Sequence, residues 1–223
     1  LNPQSEFRNP QLFMSDTTRI LLVRHGQSMG NAEGRFGGHT ATPLSELGRR
    51  QAEATARALA DEGVTAIYTS DLLRAVETAE PLARATGLNV KQTEAFRERS
   101  VGHMEGLTFE AAAEKYPDEY AALLRRDFER VLTGGESYRQ LLDRAARALD
   151  EAIAATRGGT LVVFTHTGTA CILALHLMGA LDAPELRPVW LSTNNCGINR
   201  FHLHDDGFLR VRALNDTRHL LGL

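Results

Sequence analysis

Cysteine is scarce in this chain: Cys171 and Cys196 are the only two among 223 residues. Both lie in apolar surroundings and neither fits a metal-ligand spacing, which speaks against a disulfide scaffold or a zinc module. Buried free thiols in a reducing, cytoplasmic compartment are the expectation. Long apolar runs are missing as well. None approaches the ~20 residues that span a bilayer as a helix, and no signal-peptide pattern opens the chain. Positive charge is not in excess, since the formal net charge is −3. Neither nucleic acid nor membrane is therefore expected as a partner, and any anion site has to be local. Internal repeats, low-complexity tracts and linkers are absent too, so one domain is expected.

What is present is a globular balance, 43% hydrophobic and 24% charged, with ample material for a core. Leu1 to Phe13 stand apart: polar, aperiodic and holding two prolines. They read as an added leader, with Met14 the native start and residues 14–223 the domain.

Arg19-Ile20-Leu21-Leu22-Val23 is long enough for a buried strand and too short for a helix. It runs into Arg24-His25-Gly26-Gln27-Ser28-Met29-Gly30-Asn31. A glycine-studded loop, Gly34 to His39, leads to Ser45, a plausible N-cap. A helical pattern then continues to Gly63. Ala66 to Ser70 reads as a strand, and Asp71 as the cap of a helix that stops at Gly87. Leu88 to Val90 reads as a short third strand. This βαβαβ rhythm predicts a parallel sheet with helices on both faces.

From Glu94 to Ser137 the pattern changes. Helical pieces over Phe109–Lys115 and from Asp118 to about Arg130 are divided by Pro117, and Gly134-Gly135 breaks the chain again. This stretch reads as a helical lobe inserted over one end of the sheet. A helix over about Glu136–Thr156, a strand over Thr160–Phe164 and a helix to Met178 follow. Ile198–Leu203 and Phe208–Leu214 form a hairpin around Asp205-Asp206-Gly207. The fold class expected is α/β: a three-layer α/β/α domain, its central sheet mostly parallel.

Two buried strands thus end in a histidine, His25 and His166, and neighbouring parallel strands would bring them to one edge. Arg74, early in the helix after the second strand, can point back over it. Two guanidiniums, two imidazoles and the Asn31 amide make a pocket suited to a dianion, of which phosphate is the common one.

Several spaced motifs now occur in order. They are Arg24-His25-Gly26 with Asn31, Ser70-Asp71-Leu72-x-Arg74-Ala75, Arg97-Glu98-x-x-x-Gly102, Gly134-Gly135-Glu136-Ser137, Thr165-His166 and a closing Leu214-Asn215-x-Thr217-x-His219-Leu220. In these the chain resembles the histidine phosphatase superfamily, the phosphoglycerate mutase-like fold. The resemblance implies that His25 attacks phosphorus and carries the phosphoryl group. Arg24, Arg74 and His166 would hold its oxygens, and Glu98 would protonate the leaving oxygen and then activate water. With them the expected substrate-binding set is Asn31, Gly37, Gly38 and Thr167. No metal or cofactor is implied, because arginines do the neutralising. The implied partner is a small-molecule phosphomonoester, and a homodimer stays open as an assembly.

The same resemblance separates two activities. Mutases carry a tyrosine where this chain has Val101, a lysine where it has Phe109, and Gly-Asn where it has Thr167-Gly168. Losing these grips on phosphoglycerate favours a phosphatase over a mutase. Two positions also depart from common phosphatase patterns: Ala41 replaces an aspartate and Thr167 a glycine. With Arg24, His25, Arg74, Glu98 and His166 all present, a non-enzymatic phosphate-binding scaffold is disfavoured. His39 and His103 fall in active-site loops of the family, either touching substrate or simply exposed. Arg125, Arg126 and Arg130 read either as a solvated face, which is favoured, or as a reader of a second anionic group. His202-x-His204 reads as a polar sheet face rather than a metal site.

Overall fold

The computed structural model describes residues 17–181 and 189–223. The expected leader and Met14 lie outside them. Six strands form one sheet in the order β3-β2-β4-β1-β5-β6. Strands β1 (Thr18–Arg24), β2 (Ala66–Ser70), β3 (Val90–Thr93) and β4 (Thr160–Thr165) pair in parallel. The hairpin of β5 (Ile198–Leu203) and β6 (Leu209–Asp216) adds antiparallel to β1. Helices α2 (Glu46–Leu59) and α3 (Leu73–Thr86) lie on one face, and α6 (Tyr138–Ala155) and α7 (Thr167–Leu177) on the other.

The period-two alternation of the strands builds the three layers. Ile20 and Leu22 of β1, with Leu161 and Val163 of β4, pack on the α6/α7 side. Leu21, Val23, Val162 and Phe164 pack on the α2/α3 side. Every residue of β4 is buried, which is why its sequence is a continuous apolar run rather than an alternating one.

Several boundaries differ from expectation. Asp71 does not cap α3: the cap residue is Leu72, without a side-chain hydrogen bond. The Asp71 carboxylate is instead held by the Arg97 guanidinium, through Nε at 2.8 Å and Nη2 at 2.5 Å. Two bonds to a cationic fork outweigh a single bond to a backbone N–H at a cap. The third strand sits later than expected, because β2 pairs in register from Ile67↔Val90 to Ser70↔Thr93. In the lobe, α4 (Phe109–Lys115) is as expected, but α5 (Pro117–Leu124) ends short of Arg130. It stops where Arg126 adopts a left-handed φ of 57°. A short α1 (Met29–Ala32) follows β1, closed by a capping box between Ser28 and Asn31.

Candidate active site

The β1–β4 register ends at Arg24↔Thr165, so the next residue of each strand emerges at the same edge. Those residues are His25 and His166, whose ring centroids lie 5.0 Å apart, edge to face. Strand β2 borders β4 on its other side and delivers Ser70, then Arg74 in the first turn of α3. Three strand ends converge, the place where open α/β sheets bind ligands.

His25 is 4% exposed. Its Nδ1 lies 2.6 Å from the Gly26 carbonyl oxygen. A carbonyl only accepts, so the network assigns the neutral ring's proton to Nδ1 and leaves a lone pair on Nε2. Arg74 donates its Nε–H to that atom at 3.3 Å. Its other nitrogens are fixed by the carbonyls of Thr40 (2.9 Å) and Gly38 (2.8 Å). Burial lowers the Arg74 pKa to about 10, so the guanidinium stays charged at neutral pH. Arg24 donates to the Thr193 carbonyl at 2.8 Å, while its buried Nε has no partner among the described residues.

Burial first, then the charges of Arg74 and Arg24, hold the His25 pKa well below its usual 6.5. Burial and the Arg74 charge, with smaller contributions from His25 and Arg24, do the same to His166. Both rings are therefore neutral at physiological pH. His166 sits 2.9 Å from Ser70 Oγ through Nε2, and its buried Nδ1 has no partner among the described residues.

Glu98 follows the 3₁₀ turn Glu94–Phe96, beyond β3. Its carboxylate takes the backbone N–H of Gly168 (3.0 Å) and Thr169 (3.2 Å) at the N-terminus of α7. Its own neighbour Arg99 donates a third N–H at 2.9 Å. The Glu98 backbone is fixed separately: its carbonyl accepts from His39 Nε2 at 2.9 Å and Arg144 Nη2 at 3.0 Å. Glu94 instead pairs with Arg97, and Glu105 with the Ser100 hydroxyl.

A cavity of about 510 Å³ opens over this edge. It brings together Arg24, His25, Asn31, Arg74 and Glu98, with Gly37, Gly38 and Thr167 in its wall. Asn31 accepts through Oδ1 from the Ser28 N–H and from Asn195, each at 3.2 Å. Both of these bonds use Oδ1, so its Nδ2 is committed to neither. Thr167 donates to the Thr193 carbonyl at 3.4 Å. A Cβ at Gly37 would meet the Arg74 guanidinium at 3.5 Å, an ordinary van der Waals contact. His166 lies beneath His25, fully buried, rather than in the cavity wall.

Other expectations sort differently. His39 and His103 do not line the cavity; His39 braces the Glu98 carbonyl, and His103 packs near Tyr116. Arg125 and Arg130 lie in a separate surface depression with Asp118 and Asp127, whereas Arg126 faces the cavity. No group of three His, Cys, Asp or Glu among the described residues is arranged to hold a metal. No helix of the described residues is long and apolar enough to cross a membrane. Ser70, Thr193, Asn195 and Trp190 belong to the site but were not singled out from the sequence. For Ser70 the signal was there, in the Ser70-Asp71-Leu72 motif at the end of β2.

Comparison with known proteins gives the following matches. The family model of the histidine phosphatase superfamily (branch 1) matches residues 20–217. A metal-independent phosphoserine phosphatase of Arabidopsis thaliana is 35% identical, over 92% of this chain and 84% of its own length. A phosphoglycerate mutase-like protein 4 of the same plant is 34% identical, over 92% and 88%. Among solved structures, a mycobacterial glucosyl-3-phosphoglycerate phosphatase complexed with VO3 has a TM-score of 0.78 and 30% identity. That match covers 89% of this chain and 99% of the other.

Proposed function

Because the chain belongs to the histidine phosphatase superfamily, we propose that it is a metal-independent phosphomonoesterase working through a phosphohistidine at His25. The observation that carries this reading is the pairing of a neutral His25, its Nε2 lone pair turned toward Arg74, with two buried guanidiniums around it.

In the first step Nε2 attacks phosphorus in line, forming the N–P bond as the ester P–O bond breaks. The Nδ1–H bond to Gly26 stays in place and offsets the positive charge that develops on the ring. Arg24 and Arg74 take the spreading charge of the phosphoryl oxygens, with Asn31 Nδ2 as a neutral donor. The orphaned Nε of Arg24, on the cavity wall, is a buried donor that a phosphoryl oxygen would satisfy. Glu98 gives the departing alcohol its proton. In the second step it takes a proton from water as the water oxygen attacks phosphorus, releasing inorganic phosphate and restoring His25.

The three backbone N–H groups at the Glu98 carboxylate all donate to it, and the Thr169 hydroxyl lies 3.3 Å from Oε1. To act as an acid the carboxyl has to carry a proton, and the Thr169 oxygen, whose own proton goes to the Arg97 carbonyl at 2.9 Å, is an acceptor for it beside Oε1. A substrate arriving as the monoanion brings the proton required. Val101 and Phe109 line the cavity where a mutase would resemble this chain with a tyrosine and a lysine. Apolar walls give a phosphorylated intermediate's product little to be held by, which favours release and hydrolysis.

The test is phosphate release from p-nitrophenyl phosphate with EDTA present. Turnover by the wild type and loss in His25→Ala, together with an acid-labile phosphoprotein trapped during turnover, are expected. Activity retained by His25→Ala, or dependent on added metal, overturns the reading. Formation of 2-phosphoglycerate from 3-phosphoglycerate with 2,3-bisphosphoglycerate would return the mutase.

A further inference from the structure

The segment Gly38-His39-Thr40 touches two parts of the site at once. Its peptide carbonyls hold Arg74: Gly38 accepts from Nη2 at 2.8 Å and Thr40 from Nη1 at 2.9 Å. The imidazole between them reaches the Glu98 carbonyl instead, 2.9 Å from Nε2. A carbonyl only accepts, so Nε2 carries the proton and donates. Three consecutive residues thus grip the cation beside His25 and the main chain of the carboxyl residue.

The Glu98 carbonyl has a second donor, Arg144 Nη2 at 3.0 Å. That arginine also gathers the carbonyls of Glu94, Ala95 and Arg97 through Nη1 and forks onto the Glu136 carboxylate. It ties residues 94–98 to α6, and among the described residues it has no bond to the loop that holds Arg74. Asp71 and Arg97 make a crossing toward the start of α3, but this one ends on a guanidinium that is 28% exposed. His39 ends on the peptide unit of Glu98 itself. Its own position is set by Gly38, whose φ is 44° and where a Cβ would collide with the Glu105 side chain. Glu105 in turn accepts from the Ser100 hydroxyl at 2.9 Å, two residues beyond Glu98. The imidazole does not line the cavity, so contact with substrate does not account for it.

We propose, resting on the phosphatase reading above, that His39 is a positioning residue. It fixes the spacing between the Arg74 clamp on the phosphoryl group and the Glu98 carboxyl at the leaving oxygen. The P–O bond that breaks lies between these two groups. A shift of one relative to the other leaves phosphorus held and the leaving oxygen without its proton. A misplacement of about 1 Å in such an arrangement costs about 10²-fold. What the position requires is an N–H at the place of Nε2, not an imidazole as such. Losing that donor weakens the protonation step and spares binding, because Arg24, His25 and Arg74 remain.

Phenyl phosphate and p-nitrophenyl phosphate share an aromatic body, and the first depends far more on protonation of its leaving oxygen. His39→Leu keeps bulk and removes the donor. It should lower kcat on phenyl phosphate by about tenfold or more and on p-nitrophenyl phosphate by less than about threefold, with little change in KM. His39→Gln, whose amide N–H can stand where Nε2 stands, should restore most of the loss. Added to Glu98→Gln, His39→Leu should cost nothing further on phenyl phosphate, since both act through one carboxyl. Equal losses on the two esters, a raised KM with kcat kept, no rescue by glutamine, or losses that add in the double variant would each overturn the positioning role while leaving the phosphatase intact. Full activity of His39→Leu on phenyl phosphate would overturn it as well. If the wild type releases phosphate from neither ester, the phosphatase reading falls and this one falls with it.

Discussion

Arg74 donates its Nε–H to Nε2 of His25 at 3.3 Å, occupying in the free protein the lone pair assigned to phosphorus. On the phosphohistidine reading proposed above, the guanidinium would have two tasks in sequence. It would orient the ring before substrate arrives, then transfer its donors to the phosphoryl oxygens as Nε2 attacks. Arg74→Ala is expected to lower kcat by about 10²–10³-fold, the scale of removing a donor to developing charge. Arg74→Lys keeps the charge but not the fork that reaches Gly38 and Thr40, and should recover only part of the loss. Steady-state kinetics on an alkyl phosphate measure both. A lysine variant with wild-type kcat would show that charge alone suffices.

The two buried histidines make stability depend on pH. Unfolded, each imidazole takes a proton near pH 6.5; folded, both resist it because burial and the arginines lower their pKa. Below pH 6.5 the unfolded chain therefore binds more protons than the folded one, by as many as two from this pair. Their stabilisation is full above that pH and is lost on acidification, by up to about 2.7 kcal/mol per pH unit. His202 and His219 are displaced in the same direction. Thermal unfolding from pH 8 to pH 5 should show a falling Tm whose slope shrinks in the His25→Ala/His166→Ala double variant. An unchanged slope in that variant would mean these rings do not set the dependence.

Much of this site was legible because strands announce themselves. The apolar runs before His25 and before His166 mark where both strands leave the sheet, and their adjacency follows from parallel pairing. Legibility failed where one side chain had two suitors. Asp71 is a good cap by type, yet Arg97 claims it from 26 residues away. It failed again where backbone atoms do the work. Thr193 holds Arg24 through a carbonyl, which any residue carries. Arg126 reaches the cavity wall through a left-handed turn and a stack on Trp190, 64 positions along the chain, and no local spacing reveals either.

Both cysteines should behave as inert. Burial pushes the Cys171 thiol up to about 11 and the Cys196 thiol up to about 12, so almost no thiolate exists at neutral pH. Cys196 also matters through its backbone, whose N–H donates to the Arg24 carbonyl at 3.0 Å. Native protein should leave a disulfide reagent such as DTNB unreacted over minutes and keep full activity, with two thiols appearing in guanidinium. Rapid modification of the native chain with loss of activity would show that the segment around Cys196 opens.

Glu98 and Gly168 give the most direct probe of the general acid. A Cβ added at Gly168 would stand 2.5 Å from Glu98 Oε1, too close for any real contact. The carboxyl sits at the end of a flexible side chain, so it would yield before the α7 backbone does. Gly168→Ala should thus remove Glu98 from the donors of Gly168 and Thr169 while leaving the fold intact. If the carboxyl works only from a released position, this variant keeps or raises kcat on alkyl phosphates. If it works from the α7 N-terminus, the variant loses activity on poor leaving groups and much less on p-nitrophenyl phosphate. Glu98→Gln supplies the reference, since it cannot protonate any leaving group and should show that same leaving-group bias in full. Equal losses on alkyl and nitrophenyl esters in Glu98→Gln would remove the acid role altogether. The comparison between the two variants then separates what the carboxyl does from where it does it.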